Sequence, residues 1–189
     1  MSRRKRFFFL IPALILWLMA SVLVWGFVFT RITDTSREKK ITLCVDAPVK
    51  DETGFAVKLE EGRGEGIRMV KVRPFTYAMF DGSELTNADL FVVPLSHAET
   101  YRAWFRPLPE EMRETSPCLK LEGTPYGLLI YDAQTGQGAA ESYIVYAPPG
   151  EEEENYYLFF GALALHTPPN QTAVDSDGVP AARRLLQIP

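Results

Sequence analysis

Beyond position 40 the apolar residues fall into short runs separated by turns, whereas before it they form one long run. Ile41, Leu43 and Val45 alternate with Thr42, Cys44 and Asp46, the period of a strand. Residues 51–62 place Phe55, Ala56 and Leu59 on one helical face and end at Gly62, which predicts a short helix. A second strand follows through Ile67, Met69, Val70 and Val72 and is stopped by Pro74. Residues 76–88 read as a helix or helical turn. "DLFVVPL", from Asp89, is a third strand whose unbroken apolar run suits burial on both faces. "HAETYRAWF" then predicts a helix with Ala98, Tyr101, Ala103 and Phe105 as its apolar positions.

Three strand–helix alternations in succession predict parallel βαβ units with right-handed crossovers. The pattern then changes. Residues 125–148 suggest two strands joined by a Gly-rich polar turn. An acidic loop at Glu151–Glu154 leads into an apolar strand through Phe159 and Phe160, and "VPAARRLLQIP" closes the chain as a short helix. The expected fold is α/β: a single three-layer lobe with a mostly parallel sheet, preceded by one N-terminal transmembrane helix.

That last element rests on the run from Phe7 to Thr30, which carries no charge. At about 1.5 Å per residue it makes roughly 36 Å of helix, against a hydrocarbon core of about 30 Å. A cleaved signal peptide has a shorter apolar region and a small-residue cleavage site, and "VWGFVFTRITD" offers only bulky residues there, so an uncleaved signal anchor is the expectation. Arg3, Arg4, Lys5 and Arg6 would stay inside by the positive-inside rule. The predicted organisation is a cytoplasmic basic tail (1–6), a transmembrane helix (7–30), a linker (31–40) and an extracytoplasmic α/β domain (41–189), placing the chain in the cell membrane with one pass and its C-terminal domain outside.

Four of the 20 basic residues and none of the 24 acidic ones lie in the first thirty positions, which leaves 16 basic against 24 acidic residues beyond them, a net −8. This argues against a nucleic-acid partner. Chemistry-bearing motifs are sparse. His97 and His166 are the two histidines; neither has an i,i+4 partner or a nearby cysteine, so no metal site is expected. Gly62, Gly64 and Gly66 imitate a dinucleotide loop but precede a strand instead of opening a helix, so they read as a plain turn, and no cofactor is expected. There is no nucleophile-elbow or C-x-x-C motif. Glu151–Glu154 read as a solvated loop, and the "NQT" sequon at Asn170 as a chance pattern. Cys44 and Cys118, the two cysteines, are candidates for a disulfide; the alternative for Cys44 is a buried thiol in a central strand.

Ligands of open parallel sheets sit outside the carboxyl ends of the strands. There the pattern gathers Asp46, Thr76, Tyr77, Ser96 and His97, the candidate ligand-binding residues: Asp46 as acceptor, Ser96 and His97 as donors, Tyr77 as a stacking surface. The plainer alternative is that Asp46 and Ser96 cap the helices that follow them.

The segments "ITLCVDAP", "ADLFVVPLSHAETY" and "NYYLFFGALALHTPP…AARRLLQIP" resemble extracytoplasmic solute-binding proteins of ABC importers. In two respects the chain departs from that family: it has room for one lobe only, and it keeps its N-terminal helix. The resemblance implies a binding function without catalysis, toward a small solute or a transporter component such as a permease, with a second copy or a partner supplying the missing wall of the cleft. The alternative is an envelope protein–protein interaction or structural domain that has lost ligand binding.

Overall fold

The computed structural model describes residues 3–33, 36–75, 83–150, 152–166 and 178–189. The chain divides into two compact units, Met1–Ser36 and Arg37–Pro189. The first consists of helix α1, Arg3–Thr33. Its large apolar side chains from Leu14 to Val28 are exposed. Among the described residues no helix is long and apolar enough to cross a membrane. The expected transmembrane helix and the single-pass location in the cell membrane are corrected accordingly.

The second unit is built on an eight-stranded mixed sheet. Its elements are β1 (Lys40–Val45), α2 (Glu52–Glu60), β2 (Met69–Pro74), α3 (Ser83–Thr86), β3 (Leu90–Pro94), α4 (Leu95–Ala98), β4 (Phe105–Arg106), β5 (Cys118–Leu121), β6 (Thr124–Asp132), β7 (Gln137–Gly138), β8 (Tyr156–Gly161) and α5 (Gly178–Leu186). The main strand order is β2-β1-β3-β8-β6-β5, with β4 on β8 and β7 on β6. β1 pairs in parallel with β2 and β3, as the alternation of strands and helices predicts. Among the described residues the other strand pairings are antiparallel.

The expectation of a mostly parallel sheet is therefore corrected, and the cause is local. A parallel return needs a crossover of about a dozen residues. After β3 the chain makes one helical turn and a 3₁₀ turn at Arg102–Trp104 in place of the predicted helix, and Phe105 then goes extended to pair with Gly161. Later strands return as hairpins. β5 was not anticipated by the periodicity. It joins β6 through Glu122 and Gly123, both at positive φ (48° and 82°), the backbone of a tight hairpin turn.

Side-chain alternation gives the sheet two apolar faces. Val45, Val92, Leu158 and Leu128 form a row across one face, under Phe55 and Leu59 of α2 and Val179, Ala182 and Leu185 of α5. Cys44, Phe91 and Phe159 form the neighbouring row on the other face, under Phe75 and the segment Ala98–Phe105. Gly127 continues this second row; a Cβ there would stand 2.8 Å from the Phe159 ring, so glycine lets the ring lie flat on the sheet. Phe105 stacks on Phe159, with ring centroids 4.1 Å apart. Layers thus cover both faces, α2 and α5 on one and, among the described residues, short helical turns on the other.

Candidate functional site

β1 and β3 run side by side, so their carboxyl ends open at the same edge of the sheet. Asp46 follows β1 and extends the ladder, its N–H donating to the Val92 carbonyl at 2.8 Å. Its side chain is buried. His97, in the single turn after β3, donates from Nδ1 to Asp46 Oδ2 at 2.6 Å. The imidazole itself is 43% exposed, whereas the Asp46 side chain is 6% exposed. A carboxylate can only accept, so the proton sits on Nδ1, which leaves Nε2 of a neutral His97 ring as an acceptor. Beneath the ring lies an aromatic column: His97 meets Tyr101 edge-on at 5.6 Å, and Tyr101 stacks on Trp104 at 5.2 Å.

Burial pushes the Asp46 carboxyl above its ordinary range, because removing water penalises the charged form. The hydrogen bond and the charge of His97 oppose that effect, and the nearby Tyr101 hydroxyl acts in the same sense; the nearby Glu154 carboxylate adds to the rise.

Glu154 is the member that periodicity missed. Its carboxylate accepts from Ser96 twice, from the backbone N–H at 2.8 Å and from the hydroxyl at 2.9 Å. The antiparallel register explains this: Pro94 faces Tyr156 at the end of the ladder, so the chain two residues beyond each strand brings Ser96, in the first turn of α4, to Glu154. The Leu95 N–H, donating to the Asn155 carbonyl at 2.9 Å, carries the same register outward. Neither cap assignment of the plainer alternative is what forms. Asp51, not Asp46, caps α2 by accepting from the Gly54 N–H at 2.9 Å, and the side chain of Glu154, not that of Ser96, meets the first turn of α4.

Of the five residues named from sequence, Asp46, Ser96 and His97 come together at this edge, while Thr76 and Tyr77 lie outside the described residues. Asn170 lies outside them as well. His166 is at the opposite end of the sheet, against Asp89. Among the described residues no group of three His, Cys, Asp or Glu side chains could hold a metal ion. Gly62 closes the turn after α2 where Arg184 of α5 packs over it, which gives "GRGEG" a packing role.

The candidate disulfide is corrected: Cys44 and Cys118 are both thiols. Between β1 and β5 the order places β3, β8 and β6. Four strand spacings of about 4.8 Å put roughly 19 Å between the two, far beyond the reach of about 7 Å that a disulfide allows. They also belong to opposite faces, Cys44 with Phe91 and Cys118 packed toward Leu128.

No protein-family model matches the chain, and no curated protein or solved structure is significantly similar to it.

Proposed function

We propose that the second unit is a binding module that recognises a small solute rich in hydrogen-bond donors, hydroxyls or amines, at the carboxyl ends of β1 and β3. The observation that carries this reading is the buried Asp46 carboxylate fixing a half-exposed His97 ring. Asp46 orients the ring, and Nε2 together with the neighbouring Glu154 makes an acceptor-lined rim. Donor-bearing ligands complement such a rim. The Ser96 hydroxyl is engaged by Glu154, so it is not presented to His97 as an activated nucleophile, and the proposal involves no catalysis. The resemblance to solute-binding proteins motivates the same class of function. A single lobe covers one side of a solute, so binding by one copy is expected to be weak, and a second copy or a transporter component would supply the opposite wall.

The test is a thermal-shift screen of the full-length chain against sugars, amino acids and polyamines. Calorimetric titration of each hit then follows, on wild type and on Asp46→Ala and His97→Ala with folding checked by circular dichroism. A ligand that raises stability by mass action in wild type and loses at least about tenfold in affinity in both folded variants is the expected result. A ligand held equally well by both variants places the site elsewhere.

A further inference from the structure

A second His–Asp pair closes the opposite end of the sheet. β3 begins at Leu90, so the Thr42 N–H of β1 has no strand carbonyl beside it; Asp89 Oδ2 accepts it instead, at 2.8 Å. Asp89 Oδ1 receives His166 Nδ1 at 2.9 Å and the His166 backbone N–H at 3.4 Å. The other ring nitrogen, Nε2, lies 3.0 Å from the backbone carbonyl of Glu38, in the 3₁₀ turn Arg37–Lys39 that leads into β1. The side chains of His166 and Asp89 are almost fully buried, 6% and 4% exposed.

Both partners of the ring are acceptors. A carbonyl oxygen carries no proton, so Nε2 must be the donor there. The Asp89 carboxylate also accepts two backbone N–H bonds, so it faces the ring as an acceptor and Nδ1 donates as well. Only a ring carrying both protons satisfies this geometry. A neutral ring leaves either Nε2 facing the Glu38 oxygen, or Nδ1 facing the carboxylate, lone pair to lone pair.

We propose that His166, Asp89 and the Glu38 carbonyl form a proton-dependent clamp. It fastens the turn in front of β1 to the turn after β8, closed while His166 holds both ring protons and released when it loses one. Asp89, before β3, meets the ring directly, and the turn whose carbonyl it holds carries the charged residues Arg37, Glu38 and Lys39, of which Arg37 donates to the Asn87 carbonyl at 3.4 Å. The folded chain binds a proton that an unfolded histidine holds only below about pH 6.5. The native state therefore carries more protons than the unfolded one, and the clamp's contribution to stability falls as pH rises. The mechanism is independent of the Asp46–His97 edge.

The experiment uses the full-length protein with His97→Gln, which leaves His166 as the one histidine. Long-range ¹⁵N–¹H spectra of the imidazole report ring protonation between about pH 6 and about pH 9. Limited trypsin cleavage after Arg37, Lys39 and Lys40, normalised to a peptide substrate, reports release of the turn. A doubly protonated ring at about pH 7, and cleavage that rises about threefold or more in step with loss of one proton, is the expected result. A singly protonated ring at about pH 7 overturns the proposal, as does cleavage that stays flat while the ring titrates. His166→Gln, where it folds, should cleave at a rate independent of pH. If it does not fold, the ring spectrum decides alone.

Discussion

Glu154 and Ser96 stand opposite each other where β3 and β8 leave the sheet, joined by two hydrogen bonds of 2.8 and 2.9 Å. A carboxylate receiving two donors from one residue holds the acidic loop against the first turn of α4. Glu154→Ala should destabilise the domain by about 1–2 kcal/mol, the usual worth of charge-assisted bonds at a partly exposed site. Glu152→Ala, two residues away and exposed, should change stability by less than about 0.5 kcal/mol. Urea unfolding of the two variants makes the comparison, and equal midpoints would remove the special role of Glu154.

The Phe159 ring lies over Gly127 with no room for a side chain between them. Gly127→Ala should cost about 1–3 kcal/mol through overpacking. Shrinking the ring in the double variant Gly127→Ala/Phe159→Leu should recover part of the Gly127→Ala loss when measured against Phe159→Leu alone. Additive penalties in that cycle would show that the glycine is not required by the ring.

Asp46 is shifted with a sign opposite to that of most native carboxylates. Burial disfavours the charge and holds its folded value above the ordinary carboxyl range. The native state thus holds the proton more tightly than the unfolded state, and the associated stability is fully present below the unfolded value and lost as pH rises through the folded one. Asp46→Asn should abolish this loss, so wild type should weaken relative to the variant as pH is raised. Denaturation midpoints of both proteins from acid to neutral pH test it, and a difference that stays constant or grows the other way would be incompatible with a raised carboxyl.

The two thiols should differ in access. Cys44 is 1% exposed in the centre of the sheet, while Cys118 lies partly exposed on the outer strand β5. Under native conditions a thiol reagent should label Cys118 first, and Cys44 only on unfolding, at least about tenfold more slowly. Mass spectrometry under non-reducing conditions should find no bond between them.

Much of the fold is legible in the sequence because it depends on local pattern. β1, α2, β2, β3, β8 and α5 lie where alternation, an unbroken apolar run or a helical face places them, and Gly62 and Pro74 mark true ends. Asp46, Ser96 and His97 could be assigned to one edge because parallel strands joined by α2 and α3 must present their carboxyl ends together. What the tertiary structure decided is everything that depends on direction and register. An apolar run such as Leu90–Val93 is buried to the same extent whether its neighbour runs with it or against it, so the antiparallel partner β8 leaves no mark on the run itself. That partner brings Glu154 to Ser96 and, at the other end, His166 to Asp89, across 58 and 77 residues of chain. The predicted helix at 97–105 failed for a related reason. Ala98, Tyr101 and Phe105 have helical spacing, but the open β8 edge beside Gly161 offers Phe105 a ladder to join, and these non-local hydrogen bonds and ring stacking outweigh a weak local preference for helix.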